Sequence, residues 1–313
     1  MPYLRLSHFL QAHHINRFAL AVSGGADSMA VTKLAARYQK EHTSTVHALI
    51  VDHGLRSESA HEALHVGELC KQLGIPHTVL TWQHPPIVSR LQERARQARY
   101  QLLSDWCKTH NYQYLLLAHH ANDVLETFMM RLSKGSSLKG LCALKSMRNM
   151  YGITLVRPFL STSRNELHTI LEGQEYVKDP SNENIQFERV RLRQWLSKMD
   201  IMDGFLKSYQ KLEQVDNVIM KLAETFAANH IHNQDITLQP LLDLDLCLFS
   251  YVVKTFVLDD FVDDDSILRL YQGLSERKTM TLNHKKFEVL DGKIVRINHA
   301  TLQRQIIASS HAP

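Results

Sequence analysis

Short apolar runs alternate along the first half of the chain with stretches whose apolar positions recur at helical spacing. Residues 18–22 (Phe-Ala-Leu-Ala-Val) form an apolar run that ends at a Gly-rich turn and predicts a buried strand. Residues 27–38 then place Met29, Ala30, Val31, Leu34 and Ala35 on a helical pattern. A second run, 46–51, stops at Asp52-His53-Gly54. Ala63, Leu64, Val66, Leu69 and Leu73 follow as a helix, with Gly74 as its stop. Residues 77–82 predict a third strand, 89–110 a long helix, 114–118 a fourth strand and 123–132 another helix. This alternation predicts an α/β fold: a parallel sheet between two helical layers. Ligands of such sheets collect at the carboxyl ends of the strands. The segments 23–28, 52–54 and 119–126 all fall there, which predicts one site built by all three.

The pattern changes near residue 200. Residues 205–228 read as a long helix carrying Leu206, Tyr209, Leu212, Val215, Ile219, Leu222 and Phe226. Residues 246–258 and 266–275 read as further helices, and 287–290 and 293–297 as a hairpin around Asp291-Gly292. The expected organisation is therefore a domain over 1–200 and a smaller, mainly helical domain over 201–313 with a terminal hairpin.

Composition narrows the class. With 313 residues, 44% apolar and 22% charged, the chain has the make-up of an ordinary globular protein. No apolar run approaches the ~20 residues that span a bilayer, and residues 1–17 lack the pattern of a signal peptide. A cytoplasmic protein is expected. Cys70, Cys107, Cys142 and Cys247 form no CxxC pair, so neither a zinc ribbon nor an adjacent redox pair is supported. The net charge is only +4, but it is unevenly spread. Arg131, Lys134, Lys139, Lys145 and Arg148 follow one another with no acid between them, as do Arg189, Arg191, Arg193 and Lys198, whereas 259–265 is acidic. From composition alone a solvated charged face explains these runs; a basic face for a polyanion is the sharper reading.

The chemistry concentrates in Ser23-Gly24-Gly25-Ala26-Asp27-Ser28. Two glycines tolerate positive φ and leave no Cβ in the way of an anion. Backbone N–H groups at the start of a helix then favour phosphate, and Ser23 and Ser28 add hydroxyls. Asp27 repels phosphate unless a cation intervenes, which points to Mg2+. The Walker spacing is absent, so this is a different cradle. A plain capped Gly-Gly turn explains the glycines alone, but not the whole segment directly after a buried strand.

That segment resembles the PP-loop of the N-type ATP pyrophosphatases, which cleave ATP between the α and β phosphates and leave an adenylate on the substrate. Further stretches narrow the resemblance to the tRNA(Ile)-lysidine synthase family over about residues 15–200. They are Asp52-His53-Gly54-Leu55-Arg56, the run 118–127 with its continuation 131–136, Arg157-Pro158-Phe159-Leu160, Asp179-Pro180-Ser181-Asn182 and Arg189-Val190-Arg191-Leu192-Arg193. The resemblance implies a carbon–nitrogen ligase. ATP adenylates carbon 2 of the wobble cytidine in an isoleucine tRNA with a CAU anticodon, and the ε-amine of free L-lysine displaces AMP. It implies ATP and Mg2+ as cofactors, with residues 23–28, Asp52 and His53 binding ATP. His119, Asp123 and Glu126, spaced i, i+4 and i+7, would share one helix face. Asp27 and Asp123 would hold Mg2+, and Asp123 would also take the proton of the lysine ammonium. Arg96 and Arg99 match family arginines near the phosphates. Arg131, Lys134, Lys139, Lys145, Arg148, Arg189, Arg191 and Arg193 would contact tRNA, the 131–148 stretch as a flexible loop opened by Gly135 and Gly140. Two departures stand out: Asn122-Asp123-Val124 where many relatives carry Asp-Asp-Gln, and Val190 where asparagine is usual. A tRNA thiolase of the same superfamily, or a nucleotide-binding regulator without catalysis, remain as alternatives. The sequence leaves the oligomeric state open.

Overall fold

The structure, a computed structural model, describes residues 1–55, 58–85, 91–172, 175–177, 186, 188–232, 235–258, 262–282, 285–290 and 292–297. Of the stretches named above, residues 56, 89–90, 179–182, 259–261 and 291 lie outside the described residues. Packing divides the chain into two compact units. The first comprises Met1–Met130 and Leu144–Leu206, the second Arg131–Ala143 and Lys207–Pro313.

In the first unit the order is α1 (Pro2–Ala12), β1 (Arg17–Val22), α2 (Ala26–Glu41), β2 (Thr45–Asp52), α3 (Ser59–Gln72), β3 (His77–Thr81), α4 (Leu91–Thr109), β4 (Tyr114–Leu116) and α5 (Ala121–Leu132) as far as Met130. α6 (Leu138–Leu141) follows within the second unit. The first unit resumes with β5 (Met147–Met150), β6 (Ile153–Val156), α7 (Arg164–His168) and α8 (Glu188–Leu196). The strands form one sheet in the order β3-β2-β1-β4-β6-β5, parallel except for β5, which is antiparallel to β6. The predicted α/β class is thus observed, with an antiparallel strand added at one edge.

Successive residues of a strand point to opposite faces, and β1 shows why its run is apolar throughout. Phe18, Leu20 and Val22 enter a core with Leu6 and Leu10 of α1, Met29 and Leu34 of α2, and Val66 and Leu69 of α3. Ala19 enters a second core with Tyr100, Leu103 and Cys107 of α4. The chain builds β1, β2 and β3 outward on one side, then returns to place β4 on the other side of β1. The crevice between the carboxyl ends of β1 and β4 is therefore the switch point where such sheets bind ligands.

The second unit contains α9 (Met202–His230) from Lys207 onward, β7 (Ile231–His232), β8 (Asp235–Thr237), α10 (Leu238–Leu242), α11 (Leu246–Val252), α12 (Asp264–Ser275), β9 (Met280–Leu282), β10 (Lys285–Leu290) and β11 (Lys293–Ile297). The expected hairpin is present as β10 and β11, but it is part of a five-stranded antiparallel sheet, β7-β8-β11-β10-β9. Ala223, Phe249, Val252, Ile267, Leu270, Phe287 and Ile294 share its core. The flexible loop expected over 131–148 is not what is found: Gly140 lies within α6, Cys142 is fully buried, and 147–150 is strand β5. Gly135 adopts a left-handed backbone at φ +64° just after α5.

Candidate active site

The phosphate loop links β1 to α2 (its Ser23 hydroxyl and backbone N–H both reach Ser28 Oγ at 3.2 Å). Ser28 is buried and donates its own proton to Gly25 O at 2.9 Å, so this hydroxyl closes the loop on itself. Gly25 is the N-cap of α2 and supplies no side-chain cap. The first-turn N–H groups of a long helix are thereby left for an anion, with the helix dipole in support. Gly24 adopts φ +81°, and a Cβ there would stand 2.5 Å from Val66 Cγ2 and 3.3 Å from Val177 Cγ2. Its glycine is required by apolar packing as well as by backbone conformation. Gly24→Ala is expected to cost roughly 2–4 kcal/mol, combining the left-handed backbone with overpacking. Urea denaturation measures it, and wild-type stability would show that Val66 gives way.

Asp27, in the first turn of α2, is the hub of the crevice. His168 Nε2 of α7 donates to its Oδ1 at 2.7 Å, while His120 Nε2 and Arg164 Nε each stand 3.4 Å from the same oxygen. Burial works against the charged carboxylate, but hydrogen bonding and charge from His120, with Arg164 and His168, outweigh it and hold the acid well below the usual carboxylate range. His120 is buried, and its Nδ1 faces Asp123 Oδ2 at 3.5 Å. One imidazole therefore stands between the two carboxylates proposed above as shared ligands of Mg2+.

Asp123 and Glu126 lie on α5, and His119 precedes it. Asp123 Oδ2 accepts the backbone N–H of His120 at 3.0 Å, and its Oδ1 accepts Arg189 Nη2 at 2.7 Å. Glu126, only 2% exposed, receives Arg189 Nε at 2.6 Å, Arg193 Nε at 2.7 Å and Arg193 Nη2 at 3.1 Å. Burial alone raises the Glu126 carboxyl, yet the two guanidiniums win and keep it below its ordinary range. Arg189 and Arg193 of α8 thus meet the acids of α5, and Arg191 is exposed between them. The departures from the family pattern have structural work: Val124 and Val190 are buried, and Asn122 Oδ1 accepts the Arg164 backbone N–H at 2.9 Å.

On α4, Arg96 is exposed and Arg99 half-buried, and their guanidiniums lie 5.1 and 5.3 Å from the centre of the buried Tyr100 ring. Asp52 ends β2 and accepts Gly54 N–H at 2.9 Å and Ser59 Oγ–H at 2.7 Å, which shapes the loop that carries His53. His53 is half-buried, packs edge-on against Trp82 with ring centres 6.1 Å apart, and is pushed down from its ordinary pKa by burial and by Arg99. The basic residues divide between the units: Arg131, Lys134 and Lys139 belong to the second, Lys145 and Arg148 to the first. Lys134 is exposed, whereas Lys139 donates to Thr255 Oγ1 and lies over the Tyr251 ring. His120, Arg157, Arg164 and His168 were not singled out as site residues by sequence reasoning. The first two lie inside the quoted family stretches but were given no role there.

Among the described residues, no cluster of three or more His, Cys, Asp or Glu side chains is arranged to hold a metal ion. Mg2+ is commonly held by one carboxylate together with substrate phosphates and water. Asp27 fits that manner of binding, since His168, His120 and Arg164 all meet its Oδ1.

Residues 3–199 match the family model described as a PP-loop domain. A tRNA(Ile)-lysidine synthase from Ruegeria pomeroyi is 42% identical over 183 residues, covering 58% of this chain and 44% of that protein. One from Orientia tsutsugamushi is 34% identical, covering 66% and 45%. One from Zymomonas mobilis is 35% identical over 240 residues, covering 71% and 72%. The chain thus spans less than half the length of the first two. Among solved structures, the U34-tRNA thiolase from Methanococcus maripaludis, with its [4Fe-4S] cluster, shares the fold at a TM-score of 0.54 with 17% identity, covering 63% of this chain and 72% of that one. The chain belongs to the PP-loop domain family and, within it, to the tRNA(Ile)-lysidine synthases.

Proposed function

We propose that the protein adenylates carbon 2 of the wobble cytidine in an isoleucine tRNA with a CAU anticodon, then lets the ε-amine of free L-lysine displace AMP. The line of contacts from Asp27 through His120 to Asp123 carries this reading, because it ties the phosphate loop to the acids of α5 at the switch point of the sheet. The family membership supplies the reaction class. The first-turn N–H groups of α2 would bind the ATP phosphates. Mg2+, held by Asp27 Oδ2 and the phosphates, would neutralise charge on the departing pyrophosphate. Asp123 would accept the proton that lysine must lose before it attacks, since only the neutral amine is nucleophilic. Glu126 would act through Arg189 and Arg193, which it aligns. ATP and tRNA as proposed substrates support a cytoplasmic reading. Among the described residues no helix is long and apolar enough to cross a membrane.

The test is incubation with ATP, Mg2+, labelled lysine and the CAU-anticodon tRNA. Lysine-dependent label on the tRNA with release of pyrophosphate is expected, and no label would overturn the reading. The thiolase alternative is not favoured. The chain has no CxxC pair, and burial pushes the thiols of Cys70 and Cys107 up to about 12, far from the thiolate that sulfur transfer needs.

For the tRNA, exposed Arg148 on β5 and Arg191 on α8 are the proposed backbone contacts of the first unit, and Lys134 of the second. Arg148→Ala is expected to weaken tRNA binding and flatten its dependence on log salt by nearly one unit. An unchanged slope would assign Arg148 to a merely solvated surface.

A further inference from the structure

His119 sits between β4 and α5, and Arg157 directly follows β6, the strand paired with β4. Arg157 is 5% exposed and firmly anchored: its backbone N–H donates to Ser146 O and its Nη1 to Lys145 O, both at 2.8 Å. Its Nε lies 3.2 Å from His119 Nδ1. A guanidinium offers five N–H donors, no lone pair, and keeps its charge in proteins. The imidazole must therefore be the acceptor in this contact. A proton on Nδ1 would set one N–H against another, so the ring proton is left to Nε2. The charged groups that face the ring act in the same sense. Arg157 after β6, Arg99 of α4 and Arg189 of α8 oppose a positive ring, and Asp123 of α5 favours one. Burial is the largest influence, and with the three arginines it pushes His119 down to about 3.

We propose that Arg157 is a positioning residue that locks His119 as the neutral Nε2–H tautomer, so that His119 serves the reaction as a hydrogen-bond donor to an oxygen gaining negative charge and not as a general base. The lock itself rests only on geometry. The role in the reaction rests on the adenylation reading above. In that setting the developing charge lies on phosphoryl oxygens, and a preorganised donor stabilises it without moving a proton.

Two measurements separate the lock from the reaction. In the ligand-free protein with 15N-labelled histidine, long-range 1H–15N spectra give the protonation of each ring nitrogen, and the His119 signals are those lost in His119→Gln. Protonated Nε2 and bare Nδ1, unchanged from pH 5 to 8, are expected; an imidazolium or an Nδ1–H ring would overturn the lock. Because this needs neither ATP nor tRNA, it stands or falls apart from the proposed function. For the reaction, the Gln amide nitrogen superposes on Nε2 and the Asn nitrogen on Nδ1. His119→Gln is expected to keep pyrophosphate release within about tenfold of wild type, and His119→Asn to lose on the order of 100-fold. Equal losses in the two would overturn the donor role. In Arg157→Met the same spectra should show Nδ1–H rings mixed with Nε2–H rings, because no donor is left to hold Nδ1 bare. A folded variant that keeps Nδ1 bare would show that Arg157 does not hold the tautomer.

Discussion

Replacing Asp27 with asparagine is expected to lower pyrophosphate release by about 1000-fold, equivalent to the several kcal/mol that a cation at the departing phosphates supplies. The amide keeps the size of the side chain and an oxygen that accepts from His168, so the loop geometry should survive. What disappears is the negative charge facing His120, Arg164 and His168. The same change neutralises the carboxylate whose Oδ2 is proposed to hold Mg2+ together with the phosphates. Binding of tRNA should persist, because none of the proposed backbone contacts involves Asp27. Parallel rate and tRNA-binding measurements decide the matter. Equal loss of both would show that Asp27 supports the fold and not the chemistry.

Glu126→Gln is expected to cost about 3 kcal/mol of stability. The acid is 2% exposed and takes three N–H donors from Arg189 and Arg193, so its loss leaves two guanidiniums crowded around a neutral amide. The low end of the range for a broken buried pair is appropriate, since both arginines retain contact with solvent. The pH dependence has a definite sign. The folded-state pKa of Glu126 is depressed, so its stabilisation is complete above the unfolded value near 4.3 and is lost as pH falls through the folded value. Urea denaturation of both proteins at pH 7 and below pH 4 should therefore show the gap closing in acid. A gap that stays constant would mean that the pair contributes through packing alone.

The sheet of the first unit was legible because its central strands are buried on both faces, which writes them as unbroken apolar runs. The edge was not. β5 and β6 have four residues each, and β5 exposes Arg148 and Asn149, so no run marks it. α1 was missed for the opposite reason. The apolar residues that read as scattered over 1–17 include Tyr3, Leu6 and Leu10, a helical stripe that is fully covered in the structure. In the second unit, β8 and β9 have three residues each and acquire meaning only beside the β10–β11 hairpin.

The same division holds in the site. The phosphate loop is local, so its spacing carries its geometry. The contacts that set charge and proton positions are distant in sequence: Arg157 and His119 are 38 residues apart, His168 and Asp27 are 141 apart. Arg189 and Arg193 looked like members of a basic run, and only the fold shows which acids they meet. Val124 and Val190 looked like losses from a polar motif, and burial accounts for both.

The excursion of residues 131–143 into the second unit has a consequence for biosynthesis. The ribosome delivers Lys139 and Cys142 long before Thr255, the hydroxyl that receives the Lys139 ammonium 116 residues later. During that interval the segment has none of its final partners from the carboxyl-terminal unit, while the polypeptide on either side of it is already able to condense into the sheet. The amino-terminal unit can thus condense while residues 131–143 still await the part of the chain they pack with. No single cut can release either unit with all of its own residues.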